Sequence, residues 1–303
     1  MKRIKELLKD FRDKNKSTDY ESKHNFKLLS SEEKDVYNPT APFEFNGETF
    51  LLTRVEARDS EKSKVGFFIP LYNSNDKSWQ EIDVLDLYLQ DPFVTFIDSE
   101  LILGGVETKH NDSLIDYRTV FYRGKSFADL HKFASGPWGM KDIRLKEIDN
   151  KILLLTRPQG KIGGRGTIGW NVIDSLDDLN VENINKATLL DDMFIKSEWG
   201  GANEIHILDA QTVGILGHIA CFDEAGARHY YASAFKLNHK NGKHTDMKII
   251  AERDNFAPGP SKREDLKDVI FSGGLIRHMN RATLYCGVSD CEVHSINIED
   301  PFI

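Results

Sequence analysis

A three-strand sequence pattern recurs five times between residue 43 and the end of the chain. Each copy contains an apolar strand, a turn rich in Asn, Asp or Gly, a second strongly apolar strand, a polar loop and a third strand. The second strands begin near residues 50, 101, 151, 212 and 282. Short apolar runs bounded by such turns are typical of β-strands. A repeat of about 50–70 residues suits a propeller blade with long loops.

We therefore predict an all-β fold, a five-bladed β-propeller with an N-terminal helix, in which residues 1–20 form the helix and residues 21–303 the propeller domain. A β-sandwich with extra hairpins is the alternative, although a sandwich does not require five near-equal copies. Ile4, Leu7, Leu8 and Phe11 form one apolar stripe on the helix. Such a stripe packs either on the domain itself or on a neighbouring subunit of a homo-oligomer.

Composition and charge exclude several classes of protein. The chain is 40% hydrophobic and 29% charged, which argues against wholesale disorder. It contains no apolar run near the roughly 20 residues of a membrane helix, and its charged N-terminus lacks the features of a secretory signal. Three cysteines without a CxxC pair indicate a reducing, cytoplasmic location. A net charge of −8 argues against nucleic-acid binding, so we expect neither nucleic acid nor membrane as a partner.

Asp91 is a candidate general acid. It opens an apolar strand immediately before Pro92, and proline favours an extended backbone at the residue before it. An aspartate at the start of an inner propeller strand is suited to proton donation. Asp-Pro is also common in simple turns, and both interpretations remain open at this point.

Arg54 and Arg157 both follow the tripeptide Leu-Leu-Thr at the end of an apolar strand. A buried arginine is costly unless it is paired, and arginine binds phosphate and carboxylate groups well. Arg54 could instead form a salt bridge with Glu56. His218 has apolar neighbours and could be either a ligand or an ordinary core histidine.

Three glycine-rich segments could contact a ligand. Trp138 and Trp199 could stack on sugars or pack beneath loops. Residues 160–166, GKIGGRG, lack the full pattern of a phosphate-binding loop and are predicted to form a hairpin turn. Because no metal-binding spacing is present, we predict no metal site.

Four short motifs occur in order along the predicted propeller. They are Tyr37-Asn38-Pro39, Gln90-Asp91-Pro92, Thr156-Arg157-Pro158 and the segment from Tyr285 to Asp290. Together, over residues 38–300, they resemble the β-mannoside phosphorylases of glycoside hydrolase family 130. Gln90, Phe93 and Thr156 depart from the usual motifs of that family. The surrounding sequence is more similar to a sister group, domain of unknown function 1861, which includes the β-1,2-mannan mannosyltransferase/phosphorylases of glycosyltransferase family 108.

The resemblance implies an inverting mannoside phosphorylase that forms α-mannose 1-phosphate and extends mannosides in reverse. It implies mannose-containing oligosaccharides and phosphate, or mannose 1-phosphate, as partners, with inorganic phosphate as co-substrate and no other cofactor. In the resembling family the acid acts through a hydroxyl of the sugar. The predicted site consists of Asp91 as catalytic acid, Asn38, Arg54, Asp142 and Asp290 for the substrate, and Arg157, Arg118, Lys141 and His218 for phosphate.

Three alternatives remain on the sequence alone. An inverting glycosidase on the same scaffold would need a base, for which Glu56 and Glu204 are candidates. A transferase could use GDP-mannose as donor. A non-catalytic sugar-binding propeller is the third, because a fold does not fix a function.

Overall fold

The computed structural model describes most of the chain. The described residues are 3–14, 22–71, 77–111 and 113–303, with side chains described for all of them except 111–115. Residues 1–2 and 15–20 of the predicted helix lie outside the described residues.

The first sheet has six strands in the order β1-β6-β5-β4-β2, with β3 beside β4. Its strands are β1 (Asn25–Lys27), β2 (Asp35–Tyr37), β3 (Phe43–Phe45), β4 (Glu48–Glu56), β5 (Lys64–Pro70) and β6 (Ser78–Ile82). Its long central strand β4 is buried from Phe50 onward, as expected from the run FLLTRVE.

The second and third sheets each have four antiparallel strands in sequential order. The second contains β7 (Gln90–Ile97), β8 (Glu100–Asn111), β9 (Ser113–Gly124) and β10 (His131–Ser135). The third contains β11 (Arg144–Ile148), β12 (Lys151–Thr156), β13 (Gly169–Ile173) and β14 (Thr188–Leu189).

The fourth sheet joins two antiparallel groups through one short parallel pairing. Its strands are β15 (Glu198–Ile207), β16 (Thr212–Phe222), β17 (Arg228–Asn238), β18 (Lys248–Ala251), β19 (Asp268–His278), β20 (Arg281–Val288) and β21 (Glu292–Glu299). The parallel pairing links β17 to β19 through His229–Asp268 and Tyr230–Val269.

Helices are few and short in the described residues. The α-helices are α1 (Ile4–Lys14), α2 (Gly160–Gly163) and α3 (Val181–Asn185), and 3-10 turns span Phe127–Asp129, Leu176–Asp178, Arg253–Asn255 and Glu264–Leu266. Among the residues described, no helix has both the length and the apolar character needed to cross a membrane.

The all-β prediction is confirmed, and the second strand of every predicted copy is present as β4, β8, β12, β16 or β20. Strands of successive groups also contact one another. β4 contacts β7, β7 contacts β11, β11 contacts β15, and β15 contacts β19. β2 then contacts both β20 and β21. These contacts bring together polar residues at the starts of strands that are far apart in sequence.

The first sheet is joined to the last strand by the segment before β1. The backbone NH of His24 donates to the carbonyl of Val293 at 2.9 Å, and that of Ser295 donates to Ser22 at 2.9 Å. Since β1 also pairs in parallel with β6, this short segment bonds to the first sheet and to β21. It therefore links the beginning and the end of the chain.

Helix α1 packs on the fourth sheet, with contacts to β16 and β18. Ile4, Leu7 and Phe11 are buried in the cluster that contains the apolar residues of those strands, and Leu8 packs against it. At the end of α1, Arg12 Nε donates to the carboxylate of Glu252 at 2.8 Å. The predicted apolar stripe is thus covered by the chain's own sheet.

Candidate active site

Four residues of the predicted site share an uncommon backbone conformation. Asn38, Asp91, Asp142 and Asp290 have φ angles of 48°, 48°, 59° and 52°. Asn38 follows β2, Asp91 is the second residue of β7, Asp142 lies just before β11, and Asp290 is in the β20–β21 turn. Asn and Asp tolerate this left-handed conformation better than most residues, and such conformations collect at functional sites.

The prediction that Pro92 holds Asp91 in an extended conformation is wrong. The left-handed φ of Asp91 coincides with a β-bulge between Gln90 and Phe93 in the pairing of β7 with β8. A bulge bends its strand and redirects a side chain.

Asp91 is held by one amide and one guanidinium group. Asn38 Nδ2 donates to Asp91 Oδ1 at 2.7 Å, and Arg54 Nη1 lies 3.5 Å from the same oxygen. All three residues are buried. Arg54 also donates to Glu56 Oε2 from Nε and Nη2, at 3.2 and 3.0 Å. The salt bridge with Glu56 therefore exists, and Arg54 contacts the predicted acid as well.

Asp290 is electrostatically coupled to Asp91. Burial is the largest effect and raises the pKa of Asp290 to about 6. The negative charge of Asp91 acts in the same direction, whereas Arg54 and Lys262 act against it. Asp290 can therefore gain or lose a proton near neutral pH.

A second group brings together Lys141, Asp142, Arg157 and His218. Arg157 Nε donates to the carbonyl of Gly200 at 2.7 Å and lies 3.5 Å from Asp142 Oδ2. Burial alone would raise the pKa of Asp142, but Lys141 and Arg157 lower it to about 2. Within the described structure, Asp142 Oδ2 and Arg157 Nη1 are buried without a hydrogen-bond partner. Buried polar atoms of this kind are suited to binding a ligand.

His218 belongs to this group without adding positive charge. Burial lowers the pKa of His218 to about 3, with Arg157 and Lys141 contributing, so its imidazole is neutral at pH 7. Its Nδ1 lies 3.1 Å from Asn203 Oδ1, and Asn203 Nδ2 donates to the carbonyl of Ser272 at 2.8 Å. His218 was predicted to bind phosphate, and it would do so without a positive charge, because a buried imidazole next to two cations does not hold a proton.

A cavity of about 400 Å³ opens beside Lys141 and Arg157. Four cationic side chains line it, and no Asp or Glu occurs among the lining residues that the structure describes. The cations are Lys141, Arg157, Arg165 and Arg228, and the aromatic residues are Tyr117, Trp199, Phe222 and Tyr230. A concave site with this charge is suited to an anion such as phosphate.

Comparison with known proteins is consistent with this geometry. The family model described as "Protein of unknown function (DUF1861)" matches residues 11–303. The chain belongs to the DUF1861 family. This confirms the sister-group resemblance of the sequence motifs. Comparison with curated protein sequences finds no match.

Solved structures similar to this DUF1861 protein include two from Leishmania mexicana. MPT-4, a mannose phosphorylase solved with a phosphate ion, is 30% identical, with a TM-score of 0.88 over 99% of this chain and 93% of that one. MPT-1, a GDP-Man-dependent mannosyltransferase, is 29% identical, with a TM-score of 0.86 over 99% and 94%. A β-1,2-mannobiose phosphorylase from Listeria innocua, 16% identical, shares the fold with a TM-score of 0.62 over 90% and 92%.

The sequence motifs of this DUF1861 protein did not point to Arg165 or Arg228. Arg165 lies in residues 160–166, which connect β12 to β13 as the predicted hairpin does but contain the single turn α2. Its guanidinium carbon lies 5.8 and 5.3 Å from the ring centres of Trp199 and Phe222. Trp199 itself is in strand β15 rather than in a loop. The position of Arg165 between two glycines was the one feature of the sequence that indicated a site there.

The backbone of Arg118 in this DUF1861 protein bridges Met140, next to Lys141, but its side chain has other partners. Its Nε donates to Glu107 Oε2 at 2.6 Å, and its guanidinium carbon lies 4.4 Å from the ring centre of Trp138. It is not among the described residues that line the cavity. The other eight predicted residues fall within the two groups around Asp91 and Asp142, whereas Arg118 does not.

Replacing Asp290 by Asn should increase the free energy of unfolding at pH 8 by about 1–3 kcal/mol. The folded-state pKa of Asp290, about 6, lies above its ordinary value of 3.8, and each pKa unit corresponds to about 1.4 kcal/mol. The folded protein thus holds a proton that the unfolded chain has released, so stability falls as pH rises from 4 to 6. The gain should disappear near pH 4, as measured by urea unfolding.

The matched control is Asp98→Asn. Asp98 is an exposed turn aspartate with a φ of 52°. It has the backbone of Asp290 without its burial and should show no such pH-dependent gain. Equal effects of the two substitutions at pH 8 would contradict the assignment of the burial cost to Asp290.

Proposed function

We propose that this protein is an inverting β-mannoside phosphorylase. It transfers a mannosyl unit from a mannooligosaccharide to inorganic phosphate. The β-1,2-linked mannooligosaccharides are the first substrates to test. The carrying observation is the buried carboxylate of Asp91, which interacts electrostatically with Lys141. Lys141 lines the cavity whose described lining has four cations and no carboxylate. Phosphorolysis needs one acid and an anion site, because phosphate is already a nucleophile.

The reaction follows from these parts. A phosphate oxygen attacks the anomeric carbon from the face opposite the leaving oxygen, and the glycosidic bond breaks as the new C–O bond to phosphate forms. Asp91 supplies the proton that the leaving oxygen needs, through a sugar hydroxyl. The proton on hydrogen phosphate is released and restores Asp91. The products are α-mannose 1-phosphate and the shortened mannoside, and the reverse reaction extends a mannoside.

Hydrolysis is supported less well because both candidate bases are occupied. The Glu56 side chain is fully buried and accepts hydrogen bonds from Tyr37, Arg54, Ser63 and Lys262. Glu204 Oε2 accepts from the backbone NH of Leu275 at 2.7 Å and contacts His206. A base for water needs a free carboxylate that faces the substrate.

We also propose that the strand groups are the five blades of a propeller. In the series β4, β7, β11, β15 and β19, each strand contacts the next, and β2 contacts β20 and β21. These contacts support a closed ring. The sheet that joins β17 to β19 would then contain two neighbouring blades. A crystal structure in which these groups do not surround one axis would contradict this arrangement.

The reverse reaction tests the function. Purified protein with α-mannose 1-phosphate and mannose should release phosphate and form a β-mannoside, and Asp91→Asn should lower the rate by at least about 10²-fold, the lower end for loss of a general acid. GDP-mannose serves as the competing donor. Asp86→Asn, which removes the charge of an exposed aspartate in the segment before β7, is the control. A wild-type rate in Asp91→Asn would refute the role of Asp91.

Arg157→Ala should weaken the use of phosphate selectively. Arg157 presents an unpartnered Nη1 and lines the cavity. Loss of a charge-assisted contact worth about 1.5–3 kcal/mol corresponds to about a 10–100-fold increase in KM for phosphate. The KM for the mannoside should change much less.

Arg123→Ala is the control for Arg157→Ala. Arg123 lies in β9 and donates to Glu100 at 2.7 Å. Its replacement should leave the KM for phosphate unchanged. An unchanged KM for phosphate in Arg157→Ala would remove Arg157 from the phosphate site.

A further inference from the structure

Lys262 reaches the candidate active site from the other end of the chain. It lies between the turns Arg253–Asn255 and Glu264–Leu266, and its side chain is only 3% exposed. Its Nζ donates to the carboxylate of Glu56 and, at 2.8 Å, to the carbonyl of Ser60. Its backbone NH donates to the carbonyl of Ser289 at 3.0 Å, beside Asp290. The ammonium group is therefore fixed in place from two directions.

Glu56 has no free capacity to bind a substrate. Its side chain is fully buried between two cations, Arg54 and Lys262. Tyr37 and Ser63 donate to it as well. A buried carboxylate with this many donors stabilises its neighbours and orients them. Its position next to Arg54 makes it an anchor for that guanidinium group.

Arg54 divides its donors between several carboxylates. Nε and Nη2 face Glu56, Nη2 also lies 3.2 Å from Glu61, and Nη1 faces Asp91 at 3.5 Å. The planar fork of a guanidinium group makes such contacts mutually dependent. With a second cation on Glu56, Arg54 need not satisfy that carboxylate alone. Without Lys262, Glu56 would draw Arg54 away from Asp91.

The way Arg54 divides its contacts affects Asp91, which lies among several charged side chains. Arg54, Lys141, Arg144 and Asp290 all interact electrostatically with Asp91. Only Asn38 and Arg54 make a direct polar contact with its carboxylate among the described residues. The position of Arg54 therefore fixes one of the two contacts that orient the acid.

We propose that Lys262 is a positioning residue for the general acid. Through Glu56 and Arg54 it holds the Asp91 carboxylate in the orientation needed for proton donation, although it touches neither substrate nor phosphate. This inference rests on the proposed phosphorylase function. It assigns a catalytic consequence to an ionic relay, the Lys262–Glu56–Arg54 relay, that joins the segment before β19 to β4 and β7.

The test compares two substrates that differ in their need for an acid. The mannose that leaves from β-1,2-mannobiose needs a proton on its glycosidic oxygen. The fluoride that leaves from β-mannosyl fluoride needs little help from an acid. Lys262→Met should lower kcat for phosphorolysis of mannobiose about 10–100-fold, the scale of a misplaced catalytic group. It should lower kcat for the fluoride less than about threefold, with little change in either KM. Lys262→Arg should retain most of the activity on both.

Lys64→Met is the matched control. Lys64 donates to the buried Glu81 at 2.7 Å within the first sheet and makes no polar contact with Asp91 or Glu56 among the described residues. Any effect of Lys64→Met on kcat should be the same for mannobiose and for the fluoride. Lys262→Gln, which keeps a donor for Glu56 but no charge, replaces Lys262→Met if that variant does not fold, with the same expectation.

Equal losses on mannobiose and on the fluoride would overturn the inference, because a merely structural role does not distinguish leaving groups. A wild-type protein inactive on both substrates would overturn the proposed function instead. In that event a crystal structure of Lys262→Met tests the relay itself, through the distance between Arg54 and Asp91. Movement of Arg54 away from Asp91 by about 1 Å or more would support it, and an unchanged Arg54–Asp91 contact would overturn it.

Discussion

Pairing between buried charges is the interaction on which the candidate active site depends. Glu56, Asp91 and Asp142 are almost fully removed from solvent, and each lies next to a cation that is also buried. An isolated buried charge costs several kcal/mol, and removal of one partner leaves the other uncompensated. The cations come from β4, from the end of β12 and from the segment before β19. The packing of the sheets and the charge state of the site are therefore interdependent.

Asp142 and Asp290 show how the same residue type acquires different chemistry from its surroundings. Both have left-handed backbones beside strands. Two cations hold the pKa of Asp142 near 2 against the effect of burial, so it remains an anion that can orient Arg157. For Asp290 burial outweighs the cations, and a pKa near 6 allows it to donate a hydrogen bond when protonated. A sugar hydroxyl can be bound either as donor or as acceptor by such a pair.

Strand content could be predicted from the sequence because it depends on local patterns, and the candidate residues that gather around Asp91 and Asp142 were named through the resemblance of short motifs. The apolar runs around β4, β8, β12, β16 and β20 are long and bounded by clear turns. Asn38, Asp91 and Arg157 lie next to prolines at strand ends, where side chains from different sheets meet. The blade count was inferred from repetition alone and rests on the same patterns.

The remaining features depend on long-range contacts that no local pattern contains. Lys262 lies in a loop and contacts Glu56, which is 206 residues away. The resemblance implied a phosphate contact for Arg118, and the sequence did not indicate that Glu107 on the neighbouring strand accepts a hydrogen bond from its Nε. The conformation of Asp91 followed the bulge in β7 rather than the preference imposed by Pro92. In each case a partner from another strand or loop decides the outcome.

The cationic cavity also bears on the direction of the proposed reaction. Inorganic phosphate before the reaction and the phosphate of mannose 1-phosphate after it would contact the same side chains, including Lys141 and Arg157. Contacts made equally in both states stabilise both and favour neither direction. As for any catalyst, the net direction follows the equilibrium constant of the reaction and the concentrations of phosphate, mannoside and products. What the protein itself must control is the proton on the leaving oxygen, and this places the demand for precise geometry on Asp91 and its two contacts.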